Sequence, residues 1–147
     1  MLTGTTSVAL TSGSGVITLA NLATPNITFN TTNNVTLTDS TALTGNGIST
    51  GGIVSLTDNA AGGMTTSNNI TATGNLSLIT SGSTLTVGSG TFVQSTGGVL
   101  TIQNTNTSTG TITLGANSIL VGMSGVNVEI GSPSLVAGTT PTNVMVI

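Results

Sequence analysis

Along most of the chain, apolar residues alternate with Thr, Ser or Asn in short bursts. The pattern appears as "ITL" at Ile17–Leu19, "ITF" at Ile27–Phe29, "VTL" at Val35–Leu37 and "VSL" at Val54–Leu56. It returns as "LSL" at Leu76–Leu78, "LTV" at Leu85–Val87, "LTI" at Leu100–Ile102, "ITL" at Ile112–Leu114 and "VNV" at Val126–Val128. Period-two alternation rich in β-branched residues predicts strands with one buried face. Between the bursts lie clusters such as "TGNGISTGG", "SGS", "VGSG" and "STGG", which read as turns. No stretch carries helical periodicity, and the 21 glycines and abundant Thr disfavour helix.

The bursts recur at intervals. "NVTLTDSTALTG" (Asn34–Gly45) realigns nineteen positions later with "IVSLTDNAAGGM", matching Val35 to Val54, Leu37 to Leu56, Thr38 to Thr57, Asp39 to Asp58 and Ala42 to Ala61. Later repeats drift upward, giving an irregular unit of about 20 to 25 residues and about six or seven units in one domain spanning residues 1–147. A β-sandwich also places strands about 8 to 12 residues apart. A parallel β-solenoid accounts better for the short strand cores and the coil-length repeat. It also suits a surface nearly free of charge, because like residues stack on like about 4.8 Å apart and identical charges would repel. The pattern loosens near Pro133 and Pro141.

Composition narrows the function classes. Lys plus Arg, His, Cys, Trp and Tyr are all 0, charged residues are 2%, and the net charge is -3. A disordered chain pairs low hydrophobicity with high net charge, whereas this chain is 36% hydrophobic with mean hydropathy +0.45. Without cations, binding to nucleic acid or to anionic lipid is not expected. No apolar run reaches the roughly 20 residues of a membrane helix, and two Phe cannot form the aromatic girdles of an outer-membrane barrel, so the chain is not expected to be membrane-embedded. "MLTGTTSVAL" lacks the charged and apolar regions of a signal peptide; the signal was removed, the chain is part of a longer one, or export takes another route.

The segment Gly74–Gly122, "GNLSLITSGSTLTVGSGTFVQSTGGVLTIQNTNTSTGTITLGANSILVG", resembles the β-helical stalks of bacterial surface proteins. These are the filamentous-haemagglutinin-like exoproteins, autotransporter passengers and related β-strand-repeat proteins. The resemblance covers most of the chain and lies in texture, not in a signature motif. It implies a right-handed parallel β-helix, export to the cell surface, and a role in adhesion, with cell-surface glycans as possible partners, or in an extracellular fibre. This chain departs from those families in lacking their scattered Lys, Arg and aromatic residues.

Candidate chemistry is sparse. The acids are Asp39, Asp58 and Glu129. One coil of separation brings Asp39 and Asp58 within about 5 Å, a formal arrangement for a two-carboxylate glycosidase. With no His, Lys, Arg, Cys or Tyr to assist, no catalytic residue, enzyme activity or cofactor is expected. A Ca²⁺ ion between Asp39 and Asp58, with Ser40 or Asn59 adding oxygens, is a weaker expectation than two turn-capping aspartates that follow equivalent strands. Glu129 reads as a lone outward residue. Thr-x-Thr triplets at Thr36–Thr38, Thr71–Thr73, Thr84–Thr86 and Thr111–Thr113 resemble the Thr arrays of ice-binding solenoids, though sporadically. Glycosylation sequons start at Asn26, Asn30, Asn34, Asn69, Asn75 and Asn106.

A solenoid leaves open strand edges at both ends. The apolar run Val144, Met145, Val146 and Ile147 is expected to pair with the next subunit or with further chain. The expected function is therefore structural and extracellular: a subunit or segment of a surface fibre, stalk or layer, assembling head to tail with itself. Adhesion or ice binding is the alternative, and a polysaccharide-active enzyme a remote one.

Overall fold

The computed structural model describes residues 1–4, 6–49, 52–131 and 145–146, and among them every regular element is a strand. The first coils contain β1 (Leu2–Thr3), β2 (Val8–Ser12), β3 (Ile17–Ala23), β4 (Asn26–Thr31), β5 (Val35–Asp39), β6 (Leu43–Ser49), β7 (Val54–Asp58) and β8 (Met64–Ala72). The later coils contain β9 (Leu76–Thr80), β10 (Thr84–Val87), β11 (Phe92–Ser95), β12 (Leu100–Asn104), β13 (Thr111–Leu114), β14 (Ile119–Gly122), β15 (Val126–Ile130) and β16 (Met145–Val146). One sheet runs β1-β3-β5-β7-β9-β12-β15 and the other β16-β14-β11-β8-β6-β4-β2, with β10 and β13 beside the second path. Pairing is parallel throughout the described residues. The fold is a parallel β-solenoid of about six turns and ~22-residue coils, not a sandwich.

The register explains why the sequence repeat drifts. Ile17 lies opposite Val35, Val35 opposite Val54, Val54 opposite Leu76, Leu76 opposite Leu100 and Leu100 opposite Val126, steps of 18, 19, 22, 24 and 26 residues. The first sheet does not absorb the growth, because β5, β7, β9, β12 and β15 are each five residues long. The second side does. Strand β8 reaches nine residues, and its two halves pair separately with β10 and β11. The break between those two strands holds Gly90 at φ 68, and the matching break one coil later holds Asn117 at φ 58. Glycine and Asn are the residues that best tolerate this left-handed conformation.

The core is built of stacked columns. Leu37, Leu56, Leu78 and Ile102 form one, and Val35, Val54, Leu76 and Leu100 the next, all fully buried. Alternation turns Thr36, Ser55, Ser77 and Thr101 outward as a hydroxyl column on the same strands. "TGNGISTGG" does not behave as turn material throughout, because Leu43–Ser49 is strand β6. Pairing with β4 on one side and β8 on the other supplies the hydrogen bonds that its Gly-rich sequence cannot by itself specify. Its Gly45 also has a packing role, since a Cβ there would sit 3.2 Å from Leu56 Cδ1 across the core.

Candidate functional site

The chemistry-bearing residues meet at the C-terminal corner of the first sheet. Asp39 ends β5, Asp58 ends β7, Thr80 ends β9 and Asn104 ends β12, and each is the register partner of the next. All four face inward and are buried, with Asp39 at 1% and Asp58 at 0% exposure. Sequence placed the two aspartates in turns after the strand. Pairing instead extends each strand through its Asp, and strict alternation from Val35 and Leu37, or Val54 and Leu56, directs the third residue into the core.

Each residue of this column caps the same turn. Asp39 Oδ1 accepts the Thr41 N–H at 2.7 Å, and Asp58 Oδ1 accepts the Ala60 N–H at 2.8 Å. Thr80 Oγ1 accepts the Gly82 N–H at 3.0 Å, and Asn104 Oδ1 accepts the Asn106 N–H at 2.9 Å. The capping function predicted for Asp39 and Asp58 is therefore present, and it runs over four coils. Residue type alone does not link Thr80 and Asn104 to the aspartates, because the coil lengthens and the side chain changes.

The two carboxylates are unequally supplied with donors. Asp39 also takes the Thr41 hydroxyl at 2.8 Å and, on Oδ2, the Thr24 N–H at 3.2 Å. Asp58 Oδ2 has the Thr80 hydroxyl at 3.5 Å. Burial pushes the Asp58 carboxyl up from 3.8 to about 6; the Ala60 N–H opposes the rise, the charge of Asp39 one coil away adds to it, and the Thr80 hydroxyl and Leu43 N–H pull it back. Of the two oxygen donors suggested for a cation, Ser40 Oγ donates to the Leu22 carbonyl at 2.9 Å, and Asn59 is exposed beside the buried Asp58. Among the described residues no group of three or more His, Cys, Asp or Glu side chains could hold a metal ion.

No protein-family model matches the chain, and no curated protein or solved structure matches it. The candidate features therefore stand on their own geometry.

Glu129 is exposed on β15, but it is not alone: Gln103 Nε2, its register partner on β12, donates to Glu129 Oε2 at 2.8 Å. Sequon asparagines tie coils together: the Oδ1 atoms of Asn34, Asn69 and Asn75 accept the N–H groups of Ile53, Phe92 and Val99 at 2.9, 2.9 and 3.0 Å, and Asn26 Nδ2 donates to the Thr6 carbonyl at 2.7 Å. The Thr triplets do not share one face. Thr84 and Thr86 stack in register on Thr111 and Thr113, and Thr65 and Thr44 continue the Thr86 column. Thr36 and Thr38 lie on the other sheet beside Ser55 and Thr57, whereas Thr71 accepts a hydrogen bond from Gln94 Nε2 at 2.9 Å. Of the expected assembly edge, Met145 and Val146 form β16, which pairs with Ile119 and Leu120 of β14. Val144 and Ile147 lie outside the described residues. No helix among the described residues is long and apolar enough to cross a membrane.

Proposed function

We propose that the protein is a structural subunit or segment of an extracellular fibre, stalk or surface layer, extended end to end by β-strand stacking. The observation that carries this reading is the end of the first sheet. Strand β15 is paired with β12 on one side, and no described strand pairs with its other side. Val128 stands at 39% exposure, while Leu78 and Ile102 in the same column are at 0%. Val126 and Ile130 are only partly buried. A further rung of alternating apolar residues, from another copy of the chain, would pair with the side of β15 that no described strand covers and bury Val126, Val128 and Ile130. The resemblance to bacterial surface stalks supports a cell-surface setting. So does the absence of Lys and Arg, which leaves trypsin-like proteases no cleavage site.

Negative-stain microscopy and sedimentation test the reading. Filaments are expected whose axial repeat reflects about six coils, about 29 Å at 4.8 Å per coil. Val128→Lys is expected to abolish them while leaving the β-sheet circular dichroism of the monomer intact. A chain that stays monomeric at high concentration refutes the reading.

A second reading, recognition of ice through hydroxyl columns, is favoured by the Thr44, Thr65, Thr86 and Thr113 stack. It predicts inhibition of ice recrystallisation that is lost in Thr86→Lys.

A further inference from the structure

We propose that Asp39 and Asp58 act as one proton-holding pair, retaining a proton between them at a pH where exposed carboxylates are fully ionised, so that the joint between their coils loosens in alkali. The argument begins with register. The two residues are direct partners in a parallel ladder, both inward and both sealed from water. Two like charges so placed are costly unless a cation or a proton intervenes. The chain contains no Lys, Arg or His, so no side-chain cation is available.

Neighbouring elements supply nothing that titrates. The register partner of Asp39 on β3 is Leu22, that of Asp58 on β9 is Thr80, and the second side contributes Leu43. Glu129 lies exposed on β15, and the Met1 amino group precedes β1. A proton is what remains. The donor supply assigns its position: Asp39 receives two N–H groups and a hydroxyl at 3.2 Å or less, whereas Asp58 has one donor that close, the Ala60 N–H at 2.8 Å, with the Thr80 hydroxyl at 3.5 Å and the Leu43 N–H shared with the Gly63 carbonyl at 3.2 Å. The proton therefore resides on Asp58. Its upward displacement to about 6, caused first by burial and further by Asp39, agrees with that assignment. What the proton protects is the joint, where the Asn59 N–H donates to the Asp39 carbonyl at 2.9 Å and the Ser81 N–H to the Asp58 carbonyl at 3.0 Å.

Carboxyl ¹³C NMR on the whole chain tests this directly, because only three acidic side chains exist. The Asp58 resonance is expected to titrate near pH 6. In Asp39→Asn its midpoint is expected to fall, yet to stay above 3.8 because burial persists. At pH 8, hydrogen exchange of the Asn59 amide is expected to be about tenfold or more faster in the native chain than in Asp58→Asn. An Asp58 midpoint near 4 in the native chain overturns the proposal, as does a midpoint that Asp39→Asn leaves unmoved. The native titration needs no variant to fold.

Discussion

Leu56 and Gly45 face each other across the core, and this pair offers a sharp test of how the core is built. Leu56 is fully buried between Leu37 and Leu78 in its column, and the missing side chain of Gly45 leaves the space that its Cδ1 occupies. Leu56→Ala removes three carbons, about 2.4 kcal/mol of transfer free energy at about 0.8 kcal/mol each. Incomplete collapse of the cavity raises the total to about 3–5 kcal/mol, a large fraction of a typical domain's stability. Gly45→Ala places a methyl 3.2 Å from Leu56 Cδ1 and 3.9 Å from Ile27 Cγ2, a contact that a small Leu56 rotation relieves. By itself it is expected to change stability by less than about 1 kcal/mol. In the double variant the new methyl projects into the cavity and restores about 1 kcal/mol relative to additivity. Urea unfolding must be followed by far-UV circular dichroism, since the chain has no Trp or Tyr. Strict additivity of the two substitutions would show that the two sheets do not interlock at this point.

Three further outcomes follow from the corners and the buried acids. Asp58 rises from 3.8 in the unfolded chain to about 6 in the folded one, so its contribution is complete below pH 3.8 and lost as pH climbs through 6. The shift of about two units corresponds to about 3 kcal/mol, so the melting temperature is expected to fall by about 6–12 °C between pH 4 and pH 8, and to stay nearly level in Asp58→Asn. Gly63→Ala is expected to cost more than about 2 kcal/mol in urea unfolding, because φ is 83 and a Cβ would run into the Thr84 carbonyl. Asn75→Ala removes the side-chain acceptor of the Val99 N–H at a solvent-exposed corner; a loss of about 1 kcal/mol and faster exchange of that amide are expected, measured by hydrogen exchange.

What sequence disclosed depended on whether one coil copied the next. Val35 over Val54 and Leu37 over Leu56 were readable because the residues are identical and the step is constant across that pair. From those columns follow parallel stacking, the buried face and the outward hydroxyls. The corner was half legible. Asp39 and Asp58 repeat by identity, but Thr80 and Asn104 serve the same turn with other chemistry after longer steps, so no alignment by residue type links them. Burial of the aspartates was hidden for another reason: a polar residue after an apolar triplet reads as the start of a turn until pairing shows that the strand continues. Strand β6 was masked by its glycines; the value of Gly45 lies in the room it leaves the Leu56 side chain across the core and not in local propensity.

The lengthening of the coils has a consequence for symmetry. A body with a narrow first coil and a wide last described one has two dissimilar ends, and its strands run parallel within each sheet. A head-to-tail junction along the axis must then join unlike surfaces, the type that generates open chains, whereas a contact between two like ends closes into a pair. The five-residue ribbon from β5 to β15 keeps one width through the taper. Its breadth is therefore constant over those coils, and the size step falls on the opposite side.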